Sequence, residues 1–270
     1  MAGEWPVGEN VADEVAEVRH RHSPEAAILD ATPRMADDRA CLLTLEVWMN
    51  GSSWARWSPL SGIVFVAAYI LGMVLTKAPD SSDPAETIAA YYPDHKGHRV
   101  QMIIAAYVLI GAALLFLWFV SGLRSRLRAA EGGTGTLSAL AFAAGILFVG
   151  LLSVGALALA APPSSMSFGQ SSVSPGADVV VTVQSLGWEA ILIGGMLAAA
   201  VMIFTTSILT LRTHLLPAWT AWVGFLAAIA LLFAAVWIPQ IALLIWMLVV
   251  SGAMLARPGA AMQAAPAPTP

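Results

Sequence analysis

Six apolar stretches alternate with short polar segments between Ser58 and Ala256. Each holds close to 20 residues with almost no charge in its interior, and a helix needs about 20 to cross the roughly 30 Å hydrocarbon core of a bilayer. The pattern predicts membrane-spanning helices at residues 59–76, 100–121, 137–161, 186–211, 217–238 and 240–256. The predicted fold is therefore all-α: a polytopic membrane protein, a bundle of six transmembrane helices.

Prolines mark several predicted helix ends. Pro59 suits the first turn of span one, and Pro217 opens span five. Pro162 and Pro163 are expected to end span three, because proline removes a backbone donor and clashes with the preceding turn. A short helix from Ala177 is expected to precede span four.

Small and hydroxylated residues predict how the helices meet. Small residues four apart allow backbones to approach closely, and such pairs occur at Ala141/Gly145, Gly194/Ala198, Gly195/Ala199 and Gly224/Ala228. Thr205, Thr206 and Ser207 in span four are expected to donate to carbonyls of their own helix rather than line a pore.

The composition supports the membrane class. The chain is 58% hydrophobic and 11% charged, with a mean hydropathy of +0.75, whereas a soluble domain is about 25% charged. No basic patch indicates nucleic acid. The single cysteine, Cys41, forms no intramolecular disulfide, and no cofactor is expected.

The two ends of the chain differ from its middle. Residues 1–57 are acidic and charge-rich, and they lack the basic start and apolar core of a signal peptide. We expect a cytoplasmic, largely disordered tail there and a second disordered tail at 258–270. An alternative is that translation starts at Met49 or Met35.

The distribution of lysine and arginine predicts an N-in, C-in orientation. The expected location is a bacterial plasma membrane, the inner membrane. Arg124, Arg126 and Arg128 fall in one predicted inner loop, where contact with anionic lipid contributes about 1 kcal/mol per cation. Tryptophans, which favour the headgroup level, provide predicted interface anchors at Trp54, Trp57, Trp118, Trp188, Trp219, Trp222 and Trp237.

Glu189 is an ionisable residue inside a predicted span, about one turn from the outer end of span four. Such residues are costly in a bilayer and are functional candidates by default. Either Glu189 pairs with Arg99 or Lys96 at the start of span two, or it anchors the helix at the interface, or it binds a ligand or a proton. Glu189 and Arg99 are therefore candidate ligand residues.

The predicted outer loop, 81–99, contains a second candidate region. Asp83 and Pro84 predict the start of a short helix, with Asp83 as its cap. Tyr91 and Tyr92 fall on one face of it, so the helix is expected to lie flat in the interface. With the start of span four, this loop is expected to form an outer vestibule in which both tyrosines are candidate ligand residues.

The end of the same loop carries a candidate metal site. Asp94, His95 and His98 would share one side of span two if that helix begins early, and this spacing permits a two-His, one-carboxylate site. Lys96 and Arg99 oppose a bound cation, and no further ligand is visible. A polar interfacial turn explains the same residues and is the favoured interpretation.

The turn from Arg212 to Trp222, in which Pro217 is followed by Trp219, resembles an entry step common in a group of multi-span membrane proteins of high-GC actinobacteria. The segments 83–99 and 124–133 are similar to the same group. The resemblance covers the layout of most of residues 55–257. The group has no assigned activity, so the resemblance implies none.

The sequence favours a non-enzymatic accessory or small-ligand-binding component of the membrane. No phosphate-binding glycine loop, nucleophile elbow or His-Glu-x-x-His pattern occurs. A transporter is the alternative, opposed by the scarcity of intramembrane ionisable residues and broken helices. A membrane-embedded metal-binding or enzymatic protein is the second alternative. The bilayer and anionic lipid are expected partners, and a protein partner or a second copy of the chain is left open.

Overall fold

The computed structural model describes residues 54–80, 82–168, 175–233 and 240–256. The predicted tails lie outside the described residues, except for 54–57 at the end of the first. The helices are α1 (Trp54–Leu75), α2 (Ala85–Asp94), α3 (Lys96–Glu131), α4 (Thr136–Phe168), α5 (Ala177–Glu189), α6 (Met196–Thr213), α7 (Ala218–Leu231) and α8 (Gln240–Ala256). The predicted all-α class is confirmed over these residues, which contain no strand.

Four helical stretches are long and apolar enough to cross a membrane, at 57–75, 96–131, 136–168 and 177–213. The helices α7 and α8 are also apolar but shorter, with 14 and 17 residues. Helix length therefore supports four spans, and the count of six stays a prediction.

The longest stretch, 37 residues from 177 to 213, is continuous because a π-helical turn at Ala190–Gly195 joins α5 to α6. At 1.5 Å per residue it is about 55 Å long, well beyond the roughly 30 Å hydrocarbon core. Single π-helical turns inside long helices are frequent at functional sites. The sequence predicted no such interruption of span four.

Pro162 and Pro163 do not end their helix as predicted. Both prolines are buried inside α4, which continues to Phe168. The hydroxyls of Ser165 and Ser167 donate to the carbonyl oxygens of Pro162 and Pro163, at 2.8 and 2.9 Å. Proline is tolerated in a membrane helix when neighbouring helices and hydroxyl side chains support the backbone.

Aromatic rings fill the centre of the bundle where α1, α3 and α4 meet. The ring centroid of Phe116 lies 4.9 Å from that of Phe65 and 4.6 Å from that of Phe148. Trp246 of α8 is buried and packs edge-on against Phe119 at 6.5 Å. Each such pair contributes about 0.5–1.5 kcal/mol beyond the area it buries, so this cluster ties four helices together.

A polar contact also joins α1 to α8. The Tyr69 hydroxyl donates to Oε1 of Gln240 at 2.6 Å, with both side chains buried. Within the described residues, the Nε2 atom of Gln240 and the Oγ atom of Ser251 are buried and have no hydrogen-bond partner.

Small residues allow the closest helix contacts, as predicted. Gly145 lies against Val120, Gly194 against Leu151, Gly195 against Phe148 and Gly224 against Ser207. The predicted bonds of Thr205, Thr206 and Ser207 to their own helix are also present, at 2.7–2.8 Å.

Between α3 and α4, both carboxylate oxygens of Glu131 accept backbone N–H groups at 2.9 Å, from Leu137 and Ser138.

The closest approach of one helix backbone to another at a glycine is between α4 and α5. A Cβ atom at Gly155 would lie 2.7 Å from the carbonyl oxygen of Gly187. One at Gly187 would lie 3.0 Å from the carbonyl oxygen of Gly155 and 3.1 Å from the backbone nitrogen of Leu159. Only glycine fits at either position without separating the two helices.

We expect Gly155→Ala to lower the free energy of unfolding by about 1–3 kcal/mol, because the added methyl group meets backbone that cannot rotate away. The control is Gly150→Ala in the same helix, where nothing lies within 4 Å and alanine favours the helix by about 0.5–1 kcal/mol. Thermal unfolding in detergent measures both. Equal Tm values for the two variants would contradict the close crossing.

Candidate functional site

The short helix α2 packs against α5 at one end of the bundle. Ile88 and Tyr92 of α2 form a buried apolar cluster with Val180 of α5, and Met166 of α4 packs against this cluster. We call this region the α2–α5 junction. The predicted loop helix is therefore in contact with the predicted short helix that precedes span four, and one side of α2 packs on protein.

Tyr92 is the polar centre of the junction. Its hydroxyl donates to the carbonyl oxygen of Lys77 at 3.3 Å and accepts a bond from Nε2 of Gln184 at 2.6 Å. A phenol has one proton, and the Lys77 carbonyl can only accept. The Gln184 amide must therefore turn its nitrogen to Tyr92, which fixes the orientation of the amide.

Burial raises the pKa of Tyr92 above its ordinary value, while the Gln184 bond opposes this shift. The phenol therefore stays protonated near neutral pH and remains a donor to Lys77. Because the pKa in the folded state is raised, the stability that the phenol contributes is complete below about pH 10, the ordinary tyrosine value. It is lost only as the pH rises further.

A cavity of about 130 Å³ lies beside this bond, lined by Pro79, Val181, Gln184, Ser185 and Trp188. Pro79 belongs to the segment after α1, and the other four line one side of α5. None of the five carries a formal charge. The lining combines apolar walls with one amide and one hydroxyl, which suits an uncharged, partly polar molecule.

The predicted metal ligands His95 and His98 come together as stacked rings rather than as a ligand pair. Their centroids are 4.9 Å apart and the rings 14° from parallel, with Tyr91 stacked on His98 at 4.9 Å. The Nδ1 atom of His95 lies 3.1 Å from the Tyr91 carbonyl oxygen. In the described parts of the chain, no three His, Cys, Asp or Glu side chains are grouped to hold a metal ion. A site that includes Asp94 stays a prediction.

Glu189 and Arg99 do not meet as the sequence allowed. Glu189 is exposed at the end of α5, and the structure shows no ion pair from it to Arg99 or Lys96. The interface-anchor and ligand alternatives for Glu189 stay predictions.

The predicted cap of α2 is wrong. Asp83 makes no capping bond to α2, whose N-terminal flanking residue is Pro84. Instead Asp80 accepts bonds from the backbone N–H and the hydroxyl of Ser82, at 2.9 and 2.8 Å. These bonds lower the pKa of Asp80, and they shape the turn that leads from Pro79 into α2.

At the far end of α3, two of the three arginines predicted to contact lipid are in contact with protein groups. The Arg126 guanidinium donates to the carbonyl oxygen of Met254 in α8 at 3.3 Å. The guanidinium carbon of Arg124 lies 4.4 Å from the ring centroid of Phe142, a cation–π distance. Arg128 is exposed, and lipid contact at all three arginines stays a prediction.

The predicted tryptophan anchors divide into two groups. Trp57, Trp118, Trp219 and Trp222 are exposed on the helix bundle, as a residue in contact with lipid headgroups requires. Trp188 is half-buried and lines the cavity. The side chain of Trp54 and all of Trp237 lie outside the described residues.

Sequence reasoning identified Tyr92 but missed Gln184, Ser185 and Pro79. The available signal was Gln184 itself, an amide within the apolar run from Val179 to Leu186. Its partner could not be read from the sequence, because Tyr92 is separated from it by 92 positions. No protein-family model, curated protein or solved structure matches the chain.

We expect Tyr92→Phe to lower the free energy of unfolding by about 1–3 kcal/mol, since it leaves the Gln184 amide nitrogen without its buried partner. The control is Tyr107→Phe, because Tyr107 is 73% exposed. Thermal unfolding of both variants checks this. A Tm for Tyr92→Phe equal to that of Tyr107→Phe would mean that the bond does not hold the junction.

Proposed function

We propose that this chain is a six-span protein of the bacterial plasma membrane, N-in and C-in, that binds a small uncharged molecule at the α2–α5 junction on the outer face. In this proposal the protein is a non-enzymatic ligand-binding or accessory component. The coarse class rests on helices long and apolar enough to cross a membrane. The finer statements rest on the features below.

The exposed surface of α7 and α8 supports two further spans. Both helices bury one side in the bundle, yet Leu226, Ile229 and Ile241 are 70%, 56% and 55% exposed. An exposed apolar surface of this kind is unfavourable in water and marks contact with a membrane or a partner. Lipid around α7 and α8 accounts for it directly.

Helix length supports a position for the junction beyond the hydrocarbon core. The predicted span in α4 ends at residue 161, whereas α4 extends to Phe168. The predicted span in α5–α6 begins at residue 186, whereas α5 starts at Ala177. These extra turns carry the junction. Gln184, Ser185 and the hydrogen-bonded Tyr92 therefore belong to a part of the bundle where polar ligands are accessible.

The orientation has a direct test based on the single cysteine. In a Cys41→Ser background, we expect Ser82→Cys to react with a membrane-impermeant maleimide in intact cells. Thr134→Cys, in the opposite loop and equally exposed, should react only after the cells are permeabilised. The reverse pattern would place the junction in the cytoplasm and overturn the orientation.

The observation that carries the ligand-binding function is the cavity with its oriented amide. Small-molecule sites combine apolar groups with a few fixed polar groups, and this cavity has both kinds in its lining, from Pro79, Val181 and Trp188 and from Gln184 and Ser185. The Gln184 amide is held by Tyr92, so it does not need to be ordered when a ligand arrives. A fixed polar group of this kind lowers the entropic cost of binding.

The function is tested by filling the cavity. We expect at least one compound from a panel of small neutral molecules to raise the Tm of the wild type. Val181→Trp should abolish this shift because Val181 lines the cavity. Val179→Trp adds the same side chain on the same helix at a position 54% exposed, so it should keep the shift. Equal responses of the two variants, or no shift with any compound, would contradict ligand binding here.

A further inference from the structure

We propose that the ligand of the α2–α5 cavity is a small planar ring bearing an uncharged amide group, whose amide edge pairs with Gln184. This inference rests on the proposed function and specifies its ligand class. Three features support it: the hydrogen-bonding groups of Gln184 that have no partner, the shape and size of the cavity, and the absence of charge in its lining.

The first step concerns the hydrogen-bonding capacity of Gln184. The amide has two N–H donors and a carbonyl acceptor, and Tyr92 takes one donor. The carbonyl oxygen makes no hydrogen bond within the described residues, and it is absent from the buried atoms that lack a partner. The oxygen is therefore accessible, and the cavity that Gln184 lines gives the access.

The second step concerns what such an amide prefers to bind. An accessible carbonyl oxygen beside an N–H group matches a partner with one donor and one acceptor at the same spacing, which is another amide. Such a pair satisfies both polar groups, whereas a ligand with only an acceptor leaves the buried carbonyl unpaired. The Ser185 hydroxyl lines the same cavity and provides an adaptable second contact.

The third step concerns size and shape. This cavity measures about 130 Å³ and is partly open, whereas an enclosed cavity of about 150 Å³ takes up benzene, so a single ring fits with part of the ligand in the opening. Trp188 and Pro79 provide apolar walls of the cavity. Aromatic rings favour offset-stacked or edge-on contacts with other rings, so the walls favour a planar ligand over a puckered one.

The fourth step concerns charge. The five lining residues carry no formal charge, so a carboxylate entering the cavity would lose hydration without gaining a cation. It would also face the Gln184 carbonyl oxygen. An anionic ligand of the same shape is therefore rejected, and the site selects for a neutral one.

Three isosteric probes separate these arguments: benzamide, acetophenone and benzoate. Acetophenone keeps the ring and the acceptor but lacks the N–H donor, and benzoate replaces the amide with a charged group. We expect benzamide to bind the full-length protein in lipid nanodiscs about tenfold more tightly than acetophenone, the loss that one hydrogen bond explains. Benzoate should show no binding. Isothermal titration calorimetry measures the dissociation constants.

The variant Gln184→Leu tests the residue. It should weaken benzamide binding about a hundredfold, because both bonds of the amide pair are lost, and acetophenone binding about tenfold, because only the bond from the Gln184 N–H is lost. Tyr92→Phe, which releases the amide from its fixed orientation, should weaken benzamide by a smaller factor. A Tm within a few degrees of the wild type confirms that each variant is folded, and Val181→Trp should remove binding of both neutral probes.

Two results would overturn the ligand class. One is acetophenone or benzoate binding as tightly as benzamide, and the other is a Gln184→Leu variant that weakens benzamide and acetophenone equally. If no isostere binds but the neutral panel still distinguishes Val181→Trp from Val179→Trp, the ligand class fails and the proposed function stands. If neither experiment shows binding, both fail.

Discussion

The contact between the backbones of α4 and α5 at Gly155 and Gly187 is the constraint on which the α2–α5 junction depends. In a bilayer the hydrophobic effect does not hold helices together, so close packing must do so. The buried side of α5 runs through Val180, Gln184 and Gly187 and continues at Ile191 in the π-helical turn. Gln184 lies about one turn from Gly187, so the closeness of the crossing determines how far the amide stands from Tyr92. A side chain at either glycine would push α5 away from α4, and the whole buried side of α5, including Gln184, would shift with it.

The junction combines two kinds of order. Its apolar part, Ile88 with Tyr92 and Val180, holds α2 against α5 without specifying any polar geometry. Its polar part follows from proton counting: the Tyr92 proton goes to Lys77, so the Gln184 nitrogen must face Tyr92. The carbonyl of Gln184 is thereby left for another partner. A cavity lined by uncharged groups lies beside this amide, and this combination supports the proposed small-molecule site whatever the membrane orientation of the chain.

The differences between expectation and structure share one physical origin. Pro162 and Pro163 were expected to break a helix, since each removes a backbone bond, but both are buried inside α4, which continues to Phe168. Arg126 was assigned to lipid, but it donates to the carbonyl oxygen of Met254, 128 positions away. In each case local propensity was read correctly and a contact distant in sequence decided the outcome. The bonds of Thr205, Thr206 and Ser207 to their own helix involve only local partners, and they were predictable.

Sequence alone determined the all-α class, the apolar helices, most of their approximate positions and the small residues at their contacts. These follow from apolar run length and from spacing along one helix, which are properties of the chain itself. Tertiary structure decided the π-helical turn at Ala190–Gly195, the packing of α2 on α5, and the cavity at Gln184 and Trp188. Those features depend on which residues face one another across different helices. Hydropathy has no directional information of that kind, so only the packed bundle could bring Tyr92 to Gln184.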